Sequence, residues 1–170
     1  MDFAFTETMT MLRDCARQFA EKRLKPGAQE WDEREAIPSE IYKEGAELGF
    51  FSLLVPEEYG GLGVDPLSYA VAMEELARGS AAFQVCVTVH NSLVASAVVK
   101  HGSDEQKKKY LPKLVSGEWI SSYSLSESSS ASDAMNAKEL ARCRNATRPI
   151  RKLCADAAQR LLDILDKHVA

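Results

Sequence analysis

The segment 81–99 is the most apolar stretch of the chain, and its length approaches the ~20 residues that a helix needs to cross a bilayer. Polar residues interrupt it, among them Gln84, His90, Asn91 and Ser92. A helix buried in a protein core therefore fits this segment better than a membrane span. The alternation of Val85, Val87 and Val89 is also typical of a strand, but the length of the segment favours the helix.

Other helices are predicted from apolar residues spaced three and four apart and from local start signals. Asp65-Pro66 combines a capping side chain with proline at the first helical position, and Ser103 and Gln106 have the spacing of a capping box. The predicted helices cover 6–31 (bent or divided near Pro26-Gly27), 38–48, 65–78 and 103–110, with a short helix or turn at 111–117.

Two segments do not have helical patterns. Residues 49–63 are expected to form a short buried strand or an extended loop. Their glycines, Gly60, Gly61 and Gly63, allow unusual backbone angles or close packing and lack the spacing of a phosphate-binding loop. Residues 119–125 alternate in the manner of a strand. The fold class predicted is mainly α, a helical bundle with a short β segment and an extra C-terminal amphipathic helix.

The charge distribution divides the chain near residue 133. The net charge is −4 with a pI near 5.5, which makes nucleic acid an unlikely partner, but residues 133–170 are net positive. Within that tail, residues 150–169 form a strongly amphipathic pattern whose apolar face needs a partner. The first residues lack the pattern of a leader peptide, so we expect a cytoplasmic location, or the mitochondrial matrix in a eukaryote.

Catalytic motifs recognisable by spacing are not found. The four cysteines, Cys15, Cys86, Cys143 and Cys154, are too far apart for a zinc site or a disulfide scaffold, so we expect them to be reduced and predict no metal site. We expect Cys86 to be a small buried residue and His90 a core histidine with satisfied hydrogen bonds. The acidic residues at 32–35 and the lysines at 107–109 are interpreted as solvated surfaces.

Seven segments, in order, resemble the N-terminal part of the acyl-CoA dehydrogenase family. They are Leu-Gly-Phe at 48–50, Val-Pro-Glu-Glu-Tyr-Gly-Gly-Leu-Gly at 55–63, Glu-Glu-Leu-Ala-Arg at 74–78, Val-His-Asn-Ser-Leu at 89–93, His-Gly-Ser-Asp-Glu-Gln-Lys-Lys-Lys-Tyr-Leu-Pro at 101–112, Ser-Gly-Glu at 116–118 and Tyr-Ser-Leu-Ser-Glu at 123–127. The resemblance covers residues 2–133 and implies domains at 1–118 (N-terminal helical), 119–133 (start of the flavin-binding β segment) and 134–170 (an unrelated basic tail).

The resemblance also implies FAD as cofactor and an acyl-CoA thioester as substrate, with α,β-dehydrogenation in fatty-acid or branched-chain amino-acid oxidation. The flavin-segment residues that match the family are Tyr123, Leu125, Ser126, Glu127, Ser132 and Asp133, and Ser132 matches the serine near the bound CoA ligand. Acyl-facing residues are expected from the apolar helix, at Val85, Cys86 and Val89.

The sequence departs from the family in two places. Ser128 replaces a proline, and Ser129 and Ala131 stand where glycines are usual. After Asp133 the family's β-domain and catalytic glutamate are not recognisable, so no catalytic residue is assigned and this chain alone is expected to be inactive. The alternative interpretation is a non-catalytic helical module that keeps the family fold and binds partners, or copies of itself, through helices.

Overall fold

The computed structural model describes residues 4–122, and α-helices form most of this range. A π-helical turn, Ala20–Leu24, extends the first helix, and a second π-helical segment, Val89–Ala95, joins the fifth helix to the sixth. The α-helices are α1 (Glu7–Phe19), α2 (Ala28–Glu33), α3 (Ser39–Glu47), α4 (Pro66–Gly79), α5 (Ala81–Thr88), α6 (Ser96–His101) and α7 (Asp104–Val115). The mainly α fold class is confirmed.

The local start signals mark the helices they predicted. The Asp65 carboxylate accepts hydrogen bonds from the N–H groups of Leu67 and Ser68 at the start of α4, at 2.9 and 3.1 Å. Ser103 and Gln106 form the predicted reciprocal capping box of α7. Side chains such as these satisfy N–H groups that have no partner inside the helix, which is why the boundaries can be predicted locally.

The first predicted helix is divided. The π-helical turn Ala20–Leu24 follows α1, and α2 begins only after Pro26-Gly27. Proline has no N–H to donate into a helix, and Gly27 packs against the indole of Trp31, where an added Cβ would lie 2.3 Å from a ring carbon. The predicted bend near residue 26 is therefore confirmed, whereas the π-helical turn was not predicted.

Residues 49–64 join α3 to α4 through turns and one 3₁₀ turn, Glu57–Tyr59, so the extended-loop alternative is correct and the strand alternative is wrong. Gly60 and Gly63 have positive φ angles of 84° and 55°. A Cβ at Gly61 would lie 2.0 Å from the carbonyl oxygen of Val55. The three glycines thus serve backbone conformation and close packing, as predicted.

The α7 region differs from prediction in two ways. A single helix runs from Asp104 to Val115 through Pro112, instead of a helix to 110 and a separate turn. Its buried side chains, Tyr110, Leu111 and Leu114, lie on both sides of the proline and hold the two parts against the domain. Residues 119–122 are irregular and contain none of the predicted strand; residues 123–125, and the tail 134–170 with its predicted helix, lie outside the described residues.

An aromatic cluster forms the centre of the core. Phe50, Phe51 and Phe83 are fully buried, and Phe19 is 4% exposed. The ring centroids of Phe19 lie 5.5 Å from Phe50 and 5.6 Å from Phe83, and the ring of Phe51 meets Phe83 edge-on at 6.0 Å. These distances are within the favourable range for aromatic pairs, so α1, α5 and the turn after α3 pack around one centre.

The central helix runs without a break from Ala81 to His101 and includes α5, the π-helical segment and α6. It is the one stretch of the described range with the length and apolar character of a membrane span, 21 residues with a mean hydropathy of 1.5. Its residues Phe83, Val87 and Ala95 are fully buried against the rest of the domain. It is therefore the core helix predicted for 81–99, and the strand alternative for this segment is wrong.

Candidate functional site

Three apolar side chains of the central helix form a patch on its solvent side. Val85 is 55% exposed, Leu93 is 41% exposed and Val89 is half-buried. The three residues are spaced four apart, so they follow one side of the helix, whereas the neighbouring Val87 faces the core. Aligned exposed apolar residues are more informative than scattered ones, because they offer a continuous surface to a ligand or partner.

His90 follows Val89 in the sequence and is completely buried. Its Nε2 is 3.1 Å from the carbonyl oxygen of Leu114, which can only accept, so Nε2 carries the proton. Nδ1 is then the acceptor, and it receives the hydroxyl of Ser121 at 3.0 Å and the N–H of Ser121 at 3.3 Å. The ring of Phe51 meets the imidazole edge-on at 5.1 Å.

Burial lowers the pKa of His90 to about 4, and the hydrogen bond to Leu114 opposes this effect only in part. The imidazole is therefore neutral at pH 7. The expectation of a core histidine with satisfied hydrogen bonds is confirmed. The sequence did not reveal that Ser121, two residues before the predicted flavin segment, is a hydrogen-bond partner of His90.

Asn91 is also fully buried and holds a different part of the chain. Its side-chain N–H₂ donates to the carbonyl oxygens of Phe50 at 2.8 Å and Val87 at 3.0 Å, and its carbonyl oxygen accepts from the N–H of Leu54 at 3.2 Å. The Asn91 side chain thus provides hydrogen-bond partners for backbone groups of the turn after α3. In a sheet, a neighbouring strand would serve this function.

Both contact residues lie in the π-helical segment. A π-helix has more residues per turn than an α-helix, and short π-helical segments are frequent at functional sites. Within Val89–Ala95, the consecutive residues His90 and Asn91 are both buried. The side chains reach opposite neighbours, residues 114 and 121 for His90 and residues 50 and 54 for Asn91.

Cys86 is half-buried, less than the sequence led us to expect. Its sulfur lies 3.7 Å from the hydroxyl of Tyr42 on α3, so its side chain contacts a different part of the domain from exposed Val85. Burial, together with the thiol of Cys86, raises the pKa of Tyr42 above its ordinary value. The pair is a weak polar contact between helices.

A groove of about 360 Å³ lies between α1 and α3 and includes Cys15, Lys22, Glu44 and Leu48 among its lining residues. Burial raises the pKa of Cys15, which keeps its thiol protonated. A protonated thiol is a poor nucleophile and a poor metal ligand, so the groove has no evident chemistry. Within residues 4–122, we find no group of three or more His, Cys, Asp or Glu residues placed to hold a metal ion.

The structure brings some of the predicted site residues together. Val85 and Val89 share the exposed patch, and Cys86 lies beside it toward α3. The predicted flavin residues Tyr123, Leu125, Ser126, Glu127 and Ser132 lie outside the described range. The chain that leads to them is held at Ser121 by His90, one residue from Val89. The described residues therefore include an exposed apolar patch on the central helix and a hydrogen-bonded segment at Ser121 that leads toward the predicted flavin residues.

Comparison with known proteins identifies the family of the chain. Residues 6–118 match the family described as acyl-CoA dehydrogenase, N-terminal domain. The short-chain specific acyl-CoA dehydrogenase of Clostridium acetobutylicum is 41% identical over 134 residues, covering 79% of this chain and 35% of that protein. Similar relatives include the mitochondrial short-chain specific acyl-CoA dehydrogenases of cattle and humans.

Solved structures with a similar fold include two complexes of glutaryl-CoA dehydrogenases. One is the complex of glutaryl-coenzyme A dehydrogenase with glutaryl-CoA, with a TM-score of 0.74, 38% identity, and coverage of 79% of this chain and 35% of that one. The other is the Mycobacterium smegmatis glutaryl-CoA dehydrogenase in complex with FADH2, with a TM-score of 0.71, 33% identity, and coverage of 76% and 33%.

The chain belongs to the acyl-CoA dehydrogenase family, and residues 6–118 are its N-terminal helical domain. The resemblance seen in the sequence is thereby confirmed. The chain spans about a third of the length of the curated relatives it matches.

Proposed function

We propose that this chain supplies one wall of a site for FAD and an acyl-CoA thioester, in a protein that desaturates the acyl group between its α and β carbons. One observation carries the proposal: Ser121, two residues before the first predicted flavin residue, is hydrogen-bonded to His90, on the same helix that bears the apolar patch of Val85, Val89 and Leu93.

The apolar character of the described patch fits the proposed role as a wall of the acyl-CoA site. An acyl chain needs an apolar surface that is open before the ligand binds, and the patch has that property. The polar contacts to the flavin would come from Tyr123, Leu125, Ser126 and Glu127, with Ser132 near the CoA ligand. When bound, FAD would accept the β-hydride of the thioester and become reduced, while a carboxylate takes the α-proton.

The residues assigned here bind and orient, and none of them is a candidate for the base that removes the α-proton. Positioned acid–base groups account for a large part of such a rate. We therefore propose that this chain alone binds cofactor without appreciable turnover. The cytoplasm, or the mitochondrial matrix in a eukaryote, is the proposed location, and association with further copies of the chain is the proposed assembly.

Titration of the purified 170-residue chain with FAD, followed by flavin fluorescence and visible absorbance, tests the cofactor part of the proposal. We expect saturable binding that weakens about tenfold in Ser126→Ala, because a hydrogen bond to the cofactor is lost. The matched control is Ser122→Ala, which removes an exposed serine just before the motif. A flavin site would be refuted if the wild-type chain, Ser126→Ala and Ser122→Ala all bound FAD equally weakly or not at all.

The apolar wall is tested with a pair of surface variants. Val85→Asp places a charge on the patch, and Leu67→Asp places one on α4 at a similarly exposed position, 60% against 55%. We expect Val85→Asp to weaken binding of butyryl-CoA to the FAD-loaded chain at least tenfold in calorimetry, with Leu67→Asp unchanged. Equal affinity in both variants would show that the patch does not contact the thioester.

A further inference from the structure

The segment that leads into the flavin motif is held by two sets of contacts. Trp119 packs against α7: its N–H donates to the carbonyl oxygen of Lys113 at 3.1 Å, and its ring lies 6.1 Å from that of Tyr110 between centroids. The Lys113 ammonium lies 4.3 Å from the centre of the Trp119 ring. Ser121, by contrast, is joined to the central helix through the buried imidazole of His90.

The chemistry at residue 90 requires histidine. Its ring donates at one end to Leu114 and accepts at the other end from Ser121, in two different directions. The amides of Asn and Gln carry both functions at the same end of the side chain, and the apolar aromatic ring of Phe has neither. A neutral imidazole can bridge the end of α7 and residue 121 at once while remaining fully buried.

The position of this bridge has a functional consequence. Residue 123, the first of the predicted flavin segment, is two residues beyond Ser121 and can lie at most about 7 Å from it. An anchor at Ser121 therefore limits where the flavin segment can begin. Without the anchor, the cofactor would have to order this segment on binding. The conformational entropy lost in that ordering would reduce the free energy gained on binding.

We propose that His90 is a positioning residue for flavin binding, which acts by holding Ser121 and so preorganising the approach to Tyr123. The inference rests on the proposed flavin site and adds to it a residue that does not touch the cofactor. Loss of the His90 bridge is expected to weaken FAD binding while the helical domain stays folded.

Three variants of the full chain test this. His90→Phe keeps a planar ring beside Phe51 and removes all three hydrogen bonds of the imidazole. Ser121→Ala removes the hydroxyl contact but keeps the N–H contact and leaves the core unchanged. Asn91→Leu is the matched control, because it disrupts an equally buried neighbour that holds residues 50 and 54 instead. Circular dichroism establishes that each variant is folded.

The first readout is amide hydrogen exchange at residues 119–122, measured without flavin. We expect exchange at Ser121 to accelerate at least tenfold in His90→Phe and to be much less affected in Asn91→Leu, whose effect should centre on Leu54. Unchanged exchange at Ser121 in both His90→Phe and Ser121→Ala would overturn the inference, whatever the flavin result.

The second readout is the FAD dissociation constant. We expect it to rise about tenfold in His90→Phe and about threefold in Ser121→Ala, with less than a twofold change in Asn91→Leu. A wild-type chain that binds no FAD would refute the proposed function itself. A wild-type chain that binds FAD, with His90→Phe binding equally well or Asn91→Leu binding equally poorly, would refute only the positioning role.

Discussion

The carboxylate of Glu75 on α4 accepts two hydrogen bonds from the guanidinium of Arg17 on α1, at 2.6 and 3.0 Å, across 58 residues of sequence. Glu75 is 5% exposed, and Arg78 lies 3.6 Å from its second oxygen. Arg17 holds the pKa of Glu75 below its ordinary value, so the carboxylate stays ionised at the contact between the two helices.

This pair has a natural control at the surface. Arg23 and Glu44 form the same bidentate pair of hydrogen bonds, at 2.5 and 2.6 Å, but their side chains are 50% and 36% exposed. We expect Arg17→Met to lower the free energy of unfolding several times more than Arg23→Met, because it leaves a buried carboxylate without its main partner. Urea unfolding measures both, and equal losses would contradict the prediction.

Lowering the pH is expected to destabilise the folded domain over a range determined by the pKa of His90. Its pKa is about 4 in the folded state, against an ordinary 6.5, so the unfolded chain takes up a proton at a higher pH than the folded chain does. Stability is therefore lost as the pH falls from about 6.5 to 4, by at most about 3 kcal/mol. The free energy of unfolding measured at several pH values should show this slope.

The histidine effect can be separated from that of the carboxylates. The pKa values of Glu44, Asp65 and Glu75 are all lowered by hydrogen bonds, so their contributions are retained down to about pH 4.5 and lost below it. His90→Phe should abolish the slope between pH 6.5 and 4.5 and leave the steeper loss at lower pH. An unaltered slope in that variant would assign it to another group.

The glycines after α3 should differ sharply in their tolerance of a side chain. A Cβ at Gly61 would lie 2.0 Å from the backbone oxygen of Val55, which cannot move without distorting the turn, whereas Gly63 has space and only a positive φ of 55°. We expect Gly63→Ala to cost about 1 kcal/mol and Gly61→Ala clearly more. Thermal unfolding compares them, and similar costs would show that the turn adapts easily.

The sequence predicted those parts of the fold that depend on neighbouring residues. The starts of α4 and α7 follow from the capping side chains of Asp65 and Ser103, which act within three residues. The sequence left residues 49–63 open between a short strand and an extended loop, because the backbone partners of this segment include the side chain of Asn91, far away in sequence. The π-helical segments also escaped prediction, since their spacing serves tertiary contacts.

The candidate site also combines features that the sequence predicts with features that only the structure shows. Val85 and Val89 could be selected from an apolar helix, but only the fold shows that Val85 is exposed and that Cys86 lies beside Tyr42. The predicted flavin residues rest on resemblance to a family, because periodicity carries no information about a cofactor. The link from Ser121 to His90 joins residues 31 apart and requires coordinates.

Asn91 should be among the most sensitive positions of the domain. Asn91→Ala removes three hydrogen bonds and leaves the carbonyls of Phe50 and Val87 and the N–H of Leu54 without that partner, so we expect a loss of about 3 kcal/mol in the free energy of unfolding.

The control for this variant is Ser96→Ala, which removes one hydrogen bond, from the hydroxyl to the backbone oxygen of Asn91 at 2.8 Å, at a half-buried position of the same helix. Its expected cost is about 1 kcal/mol. Urea unfolding gives both values, and amide exchange at Leu54 should accelerate only in Asn91→Ala. If the two variants lost the same stability, the turn after α3 would have to be held by its own glycines and hydrophobic contacts and not by Asn91.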